Sequence, residues 1–408
     1  MSNMNSKIID DVTTDIIDIK QGSDEFLIEE EFTKKMINSK FSNIPLRIKL
    51  GLDPTSPDIH IGHTIVFNKL RQLQNLGHNV IFLIGDFTSM IGDPSGRNST
   101  RPSLTKEEIE KNANTYYEQA SKLIDPSKTE IRYNSEWYKN LGASGIIELT
   151  SKYTIARILE RDDFTKRFKN KLPISLHELI YPIIQGYDSV ALKSDLEIGG
   201  TDQKFNLLVG RDLQKEFGQE PQCIITMPLL LGLDGIEKMS KSKNNYIGIS
   251  ELPDSMFGKI MSISDDLMWK YFDMLSSISS DEILKLKNQV LNGLNPKNAK
   301  IQLAHEIVCK FHSKILADRA LENFENRFKY GILPNDISEI HVGKAPINII
   351  KILKASGLTV SHTEANRNIE QGGVKIDGNK ISDKSIILFK GEYIIQVGKR
   401  KIKKIILD

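Results

Sequence analysis

Apolar residues alternate over residues 47–52, at Ile48, Leu50 and Leu52, which predicts a strand. Pro54 ends it, because proline cannot donate to a ladder. Over 64–76 the apolar residues fall at helical spacing (Ile65, Val66, Phe67, Leu70, Leu73, Leu76), and Gly77 supplies a left-handed stop. Residues 80–84 are continuously apolar, the pattern of a strand buried on both faces of a parallel sheet. Strand, helix and strand in succession make a βαβ unit, so the predicted fold class is α/β with a doubly wound parallel sheet.

Helices are predicted at 104–125 and 143–170, and another interior strand at 223–227. The pattern is helical from Leu252 to about Leu333, then changes character. Helices at 347–356 and 363–371 are followed by short β-prone runs separated by Gly372-Gly373, Asp377-Gly378 and Gly391, which describes a small α+β module. Residues 1–46 read as an acidic, partly helical lead-in, and no tandem repeat or low-complexity tract is present.

The 408 residues are 39% hydrophobic and 26% charged, which excludes disorder, collagen-like repeats and a disulfide scaffold as descriptions of the whole. No apolar run approaches the roughly 18 residues of a spanning helix, and the acidic start resembles neither a signal nor a transit peptide. Two distant cysteines, Cys223 and Cys309, suit a reducing cytosol. A cytoplasmic protein with no membrane partner is therefore expected. The net charge of +2 hides an asymmetry: residues 344–408 carry 13 Lys/Arg against 6 Asp/Glu (+7), leaving 42 against 47 (−5) elsewhere. Such a basic end suits nucleic acid, or is simply a soluble surface.

The densest chemistry is Gly51-Leu52-Asp53-Pro54-Thr55-Ser56-Pro57-Asp58-Ile59-His60-Ile61-Gly62-His63, between a strand and a helix. The unpaired N–H groups and partial positive charge of a helix start suit a phosphate. Gly62 lets a flat base or a phosphate approach the backbone. His60 and His63, three apart, share one face and can donate hydrogen bonds to phosphoryl oxygens. Read as a metal pair they lack a nearby third ligand, so no metal site is expected.

A second cluster, Lys238-Met239-Ser240-Lys241-Ser242, places two cations three apart as a clamp for pyrophosphate, or is a solvated loop. Its flanks, Gly232, Gly235 and Asn244-Asn245, suggest that it opens and closes. Tyr181, Gln185 and Asp188 share a helix face that lines an amino-acid pocket or is merely polar. Ser175 and Glu178 form a capping box before them, and Pro182 is expected to kink or interrupt that helix. Gly199-Gly200-Thr201-Asp202-Gln203 reads as a strand end with close backbone approach and a carboxylate for hydroxyls, or as an ordinary turn. Lys399, Arg400, Lys401, Lys403 and Lys404 form a cationic stretch for phosphates, and the interleaved Ile402, Ile405 and Ile406 point to a folded strand pair.

The His60–His63 and Lys238–Ser242 signatures, in this order, resemble class I aminoacyl-tRNA synthetases. Almost the whole chain resembles the bacterial tyrosyl-tRNA synthetase family. Residues 49–63, 85–88 through 92–97, 181–188, 198–203 and 238–242 carry the likeness. It implies a lead-in at 1–46 and a Rossmann-like catalytic domain at 47–250 with a dimerisation insertion near 135–175. A helical anticodon-side domain at 251–335 and an S4-like RNA-binding domain at 344–408 follow. The implied activity joins L-tyrosine to tRNA(Tyr) through tyrosyl-adenylate, with ATP and Mg²⁺, no permanently bound cofactor, and a homodimer.

By resemblance, Thr55, His60, His63, Lys238 and Lys241 are catalytic around the phosphates. Gly51, Asp93, Tyr181, Gln185, Asp188 and Gln203 hold tyrosine, with Asp188 on the phenol and Tyr181 and Gln185 on the α-ammonium. Asp53, Gly62, Arg97, Arg101, Gly200, Asp202, Met239, Ser240 and Ser242 meet ATP, and the stretch from Lys399 to Lys404 meets RNA. Phenylalanine would leave Asp188 buried and unpaired, a rejection for which this enzyme class is itself the established example. One departure stands out. A familiar branch has a tyrosine two positions before Gly51 that also touches the phenol, and here that residue is Lys49, so a different second contact is expected.

Three competing readings exist. A tryptophanyl-type relative is opposed by Asp188 and the Tyr181/Gln185 face. A nucleotidylyltransferase shares the H-x-G-H turn but is usually much shorter and lacks the RNA-binding end. A non-enzymatic RNA-binding protein on an inactive synthetase frame is opposed by intact His60, His63, Lys238 and Lys241.

Overall fold

Six strands, β1 (Glu25–Leu27), β2 (Arg47–Leu52), β3 (Asn79–Ile84), β4 (Thr129–Tyr133), β5 (Leu196–Gly200) and β6 (Cys223–Met227), form one sheet in the order β1-β6-β5-β2-β3-β4. This is seen in a computed structural model that describes residues 2–54, 58–95, 105–330, 339–398 and 401–408. From β2 the chain steps outward through β3 and β4, then returns to the other side of β2 for β5 and β6, all in parallel. The order reverses between β2 and β5, and a doubly wound sheet opens its ligand crevice at the carboxyl ends of the strands flanking that reversal.

The expected βαβ unit is present. The three helices α1 (Ser2–Lys20), α2 (Glu29–Ser42) and α3 (Thr64–Asn75) precede β3, and α3 makes the crossover between β2 and β3. Gly77, at φ +91°, takes the left-handed conformation that ends it. Val80 to Ile84 are all buried, as a run without polar breaks requires.

Elsewhere the pattern and the structure part. Residues 1–46 are not only helical: β1 pairs antiparallel with β6 and covers that edge of the sheet. The single helix expected at 143–170 is three, Ser135–Ser151, Ile155–Ile158 and Asp162–Lys169. Thr154 caps the second by accepting from the Arg157 N–H, which restarts the helix after Ser151. Pro182 does not interrupt its helix, which runs from Leu176 to Leu192. Pro182 sits in the second turn, where its missing N–H removes only one backbone bond. That helix crosses the helix Lys204–Glu216 at close range: a Cβ on Gly186 would lie 3.0 Å from the Gly210 nitrogen.

The chain divides into two compact units, Met1–Leu321 and Glu322–Asp408. The first includes the sheet and the helices Pro253–Met261, Asp265–Leu275, Ser280–Leu291 and Pro296–Phe311, the helical stretch read from the pattern. In the second, five strands lie in the order Asn379–Ile381, Val374–Ile376, Gly391–Val397, Lys401–Leu407, Glu339–Gly343. The helices Ile349–Ala355 and His362–Glu370 complete its core through Ile352, Leu353, Ala365 and Ile369, packed with Val374, Ile395 and Ile405. No helix among the described residues is long and apolar enough to cross a membrane.

Candidate active site

A cavity of about 1170 Å³ opens at the carboxyl ends of β2 and β5, where the strand order reverses. It brings together Gly51, Asp53, His60, Gly62, His63, Asp93, Tyr181, Gln185, Asp188, Gly200, Asp202, Gln203, Lys238, Met239, Ser240 and Lys241. Thr55, Arg97 and Arg101 lie outside the described residues, as does the side chain of Ser242.

At the deep end Asp188 is 2% exposed. The Trp137 indole N–H donates to one carboxylate oxygen at 3.0 Å and the Asn134 amide to the other at 3.3 Å. Burial pushes its carboxyl up to about 7, against Lys49, Asn134 and Trp137, which favour the ionised form. Trp137 and Asn134 were not legible beforehand, because they reach Asp188 across about fifty residues of sequence.

Tyr181, two turns earlier on the same helix, donates its hydroxyl to Asp53 at 2.9 Å, and Thr88 donates to the other Asp53 oxygen at 2.7 Å. Gly85 is the space that arrangement requires: a Cβ there would fall 2.1 Å from the Asp53 carboxylate. Beside Tyr181, polar groups form a chain. Asn206 donates to Gln185 at 2.9 Å and to Gln203 at 3.0 Å, and Gln203 donates to Asp93 at 2.9 Å. Ser95 donates its hydroxyl to Asp93 at 2.6 Å and accepts from Arg161 at 2.7 Å. Three oxygen-rich side chains, Asp93, Gln185 and Gln203, thus converge where an ammonium would be held. Asn206 and Arg161, which position them, also escaped the sequence reading.

At the open end, Ile61–His63 is one 3-10 turn running straight into α3. The His60 and His63 rings lie against each other, tilted by 36° with centroids 3.8 Å apart. Burial, then the neighbouring ring and lysines, holds His60 well below its usual value, and burial with Lys241 pushes His63 down to about 4. Both rings are therefore neutral at pH 7. His63 Nδ1 accepts from the His60 N–H at 3.2 Å, so its proton sits on Nε2 as a donor. His60 Nδ1 is buried with no protein partner among the described residues. Gly62 makes room for this packing first: a Cβ would lie 3.0 Å from the His60 ring.

The lysine segment is bound to that turn. Ile61 N–H donates to Ile247 O at 2.9 Å and Ile249 N–H to Ile59 O at 3.0 Å, which ties the chain just after the lysines to the histidines. Lys241 donates to the Asp58 carbonyl and lies 3.7 Å from the Asp58 carboxylate, while Lys238 pairs with Asp202 at 2.5 Å. Of the flanking residues, Asn245 and Gly232 shape the turn. Asn245 accepts from the Ser240 N–H at 2.8 Å and donates to Asp234 at 2.7 Å, and a Cβ on Gly232 would meet its amide at 2.1 Å.

Of the cationic stretch, Lys399 and Arg400 lie outside the described residues. Lys403 donates to Ser356 O at 2.6 Å, and Lys404 pairs with Glu339 at 2.9 Å and Glu392 at 2.8 Å. Lys401 is half exposed, 3.6 Å from Glu364. The three described lysines are thus all engaged within their own unit, Lys401 the most loosely.

A family model described as tRNA synthetases class I (W and Y) matches residues 42–329. A tyrosine–tRNA ligase of Bordetella avium is 62% identical over 405 residues, 99% of each chain. One of Ralstonia nicotianae is 64% identical over 389 residues, 95% of this chain and 99% of the relative. Among solved structures, a C-terminally truncated mitochondrial tyrosyl-tRNA synthetase of Aspergillus nidulans superposes with a TM-score of 0.64 at 19% identity, covering 79% of this chain and 98% of that one. The tyrosyl-tRNA synthetase of Archaeoglobus fulgidus, complexed with L-tyrosine, gives 0.61 at 23% identity over 76% of this chain and 99% of its own. Both share the fold. With a family model over most of its length and relatives above 60% identity from end to end, the chain belongs to the class I tRNA synthetases, among the bacterial tyrosine–tRNA ligases.

Proposed function

We propose that this site activates tyrosine with ATP and passes it to tRNA(Tyr). The observation that carries the reading is a buried carboxylate, Asp188, at the floor of the cavity whose mouth holds the paired histidines and the two lysines. The phenol donates to Asp188, and the α-ammonium sits among Asp93, Gln185 and Gln203 with Tyr181 beside it. The substrate carboxylate, ionised at neutral pH, attacks the α-phosphorus of ATP without a general base, giving tyrosyl-adenylate and pyrophosphate. The 3′-terminal adenosine hydroxyl of the tRNA then takes the tyrosyl group and releases AMP.

Neutral His60 and His63 stabilise the phosphates as hydrogen-bond donors, so positive charge falls to Lys238 and Lys241. Both lysines are paired with carboxylates, and phosphate exchanges those partners. Asp53, Gly200 and Asp202 face the nucleoside, with Gly51, Gly62, Met239 and Ser240 forming the wall, and Thr55, Arg97, Arg101 and Ser242 extend the phosphate contacts. No three metal-capable side chains converge among the described residues. Mg²⁺ would enter as a counter-ion carried by ATP, where it neutralises phosphate charge.

The basic end, with Lys399, Arg400 and Lys401 foremost, engages tRNA from its S4-like module. Exposed Ile147, Ile155 and Phe168 on the helical insertion suit a homodimer interface, and a cytoplasmic location accords with free thiols at Cys223 and Cys309. ATP–pyrophosphate exchange with tyrosine, tryptophan and phenylalanine supplied separately tests the reading. Exchange with tyrosine alone is expected, and exchange driven by tryptophan contradicts it.

A further inference from the structure

Lys49 occupies the strand position where a familiar branch of the family carries a tyrosine, and its ammonium is committed away from the cavity. It stands on β2 directly beside Glu197 on β5, at the point where the strand order reverses. Lys49 Nζ lies 2.8 Å from the Glu197 carboxylate and 2.8 Å from Ser189 Oγ, with the Gln185 carbonyl at 3.5 Å. The pair is sealed, Lys49 being 0% and Glu197 2% exposed. Gln222 donates to the second Glu197 oxygen at 2.5 Å and Ser189 to the same oxygen at 3.0 Å. The lysine stem passes under the cavity floor, where a Cβ on Gly51 would be 4.0 Å from its Cε.

Its contacts, Gln185 and Ser189, bracket Asp188 on one helix. Ion pairs buried this deeply contribute little net stability, which leaves this pair open to another use. Around Asp188, the charged or titratable groups are Lys49 from β2, Glu197 from β5, Tyr138 from the helix Ser135–Ser151 and Tyr181 from its own helix. Among these described groups Lys49 is the cation. Both Asp188 oxygens already accept from N–H groups, an arrangement that suits a carboxylate and opposes a protonated acid.

We propose that Lys49, held by Glu197, is a positioning residue that keeps Asp188 ionised at full burial, and so sets the pH range over which a phenol is distinguished from a phenyl ring. This rests on the reading of Asp188 as the phenol acceptor. Burial pushes Asp188 up to about 7, with Lys49 the largest opposing influence and Glu197 a smaller one acting with burial. The two partners therefore push in opposite directions.

The test is the pH dependence of kcat/KM for tyrosine in ATP–pyrophosphate exchange, which reports groups of the free enzyme. In the wild type the acid limb is expected near 7. In K49Q/E197Q, which removes both charges and keeps both volumes, it should move up by roughly one pH unit; in E197Q alone, which leaves Lys49 unopposed, it should move down. kcat/KM for ATP should show neither shift. Should the double variant fail to fold, the downward shift in E197Q decides. Limbs that stay in place, or move the same way in both variants, overturn the proposal while leaving tyrosine selection by the wild type intact. A wild type that activates phenylalanine as readily as tyrosine overturns the reading of Asp188 as well.

Discussion

At the scale of single residues, the site separates shape from charge. The histidines are neutral and pack against each other, so the proposed role for them is directional hydrogen bonding, with the charge left to the lysines. Burial pushes the Lys241 ammonium down to about 8, partly offset by Asp58. Its charge is complete below that value and lost as pH rises through it, so the exchange rate should fall above about pH 8, and K241R should carry that limb higher. K241A should slow adenylate formation by roughly 100-fold in stopped-flow measurements and change tyrosine affinity by no more than about twofold. Equal losses in both would place Lys241 at the amino acid instead. The lysines and histidines were legible because their types and spacing are themselves the chemistry. The groups holding them were not: Asp58 reaches Lys241 across 183 positions, and no local pattern marks such a pair.

At the scale of the element, the helix Leu176–Leu192 carries Tyr181, Gln185 and Asp188, and its start is fastened by Glu178. That carboxylate accepts from the Ser175 N–H at 2.8 Å and makes a two-pronged pair with Arg167 at 2.8 and 2.9 Å. Burial alone would raise it, but Arg167 and the Ser175 N–H outweigh burial and hold it below the usual carboxylate range. Its contribution is therefore present at neutral pH and lost on acidification through that lowered value. E178A strands a guanidinium that is 1% exposed and should cost about 3 kcal/mol in denaturant unfolding. The KM for tyrosine should rise with it; unchanged stability would show that the cap is dispensable. The capping box was readable as Ser175-x-x-Glu178, but its partner Arg167 was hidden in a stretch read as one continuous helix. The same periodicity argument found α3 and β3 cleanly and missed β1 and β4. β1 has three residues and owes its form to pairing with β6, while β4 is only half-buried and shows no apolar run.

At the scale of the whole molecule, the proposed division of labour puts small-substrate chemistry in the acidic bulk and RNA contact at the basic end, in line with the charge asymmetry. The structure refines which cations are available. Lys404 is held by two carboxylates and Lys403 caps a helix, while Lys401 is half exposed. K401A should weaken tRNA binding and flatten its salt dependence by somewhat less than one in slope, leaving pyrophosphate exchange unchanged. K404A should do less to the RNA. The reverse ranking in filter-binding titrations at two or more salt concentrations would put the RNA surface elsewhere on that unit.

The central claim is that one buried carboxylate selects the substrate. Its most direct test is the ratio of kcat/KM for tyrosine to that for phenylalanine, measured by ATP–pyrophosphate exchange in the wild type and in D188N. The variant keeps the shape and removes the charge, so the ratio should fall at least tenfold, with the ATP parameters little changed. A variant that discriminates as sharply as the wild type would show that the phenol is recognised by some other group.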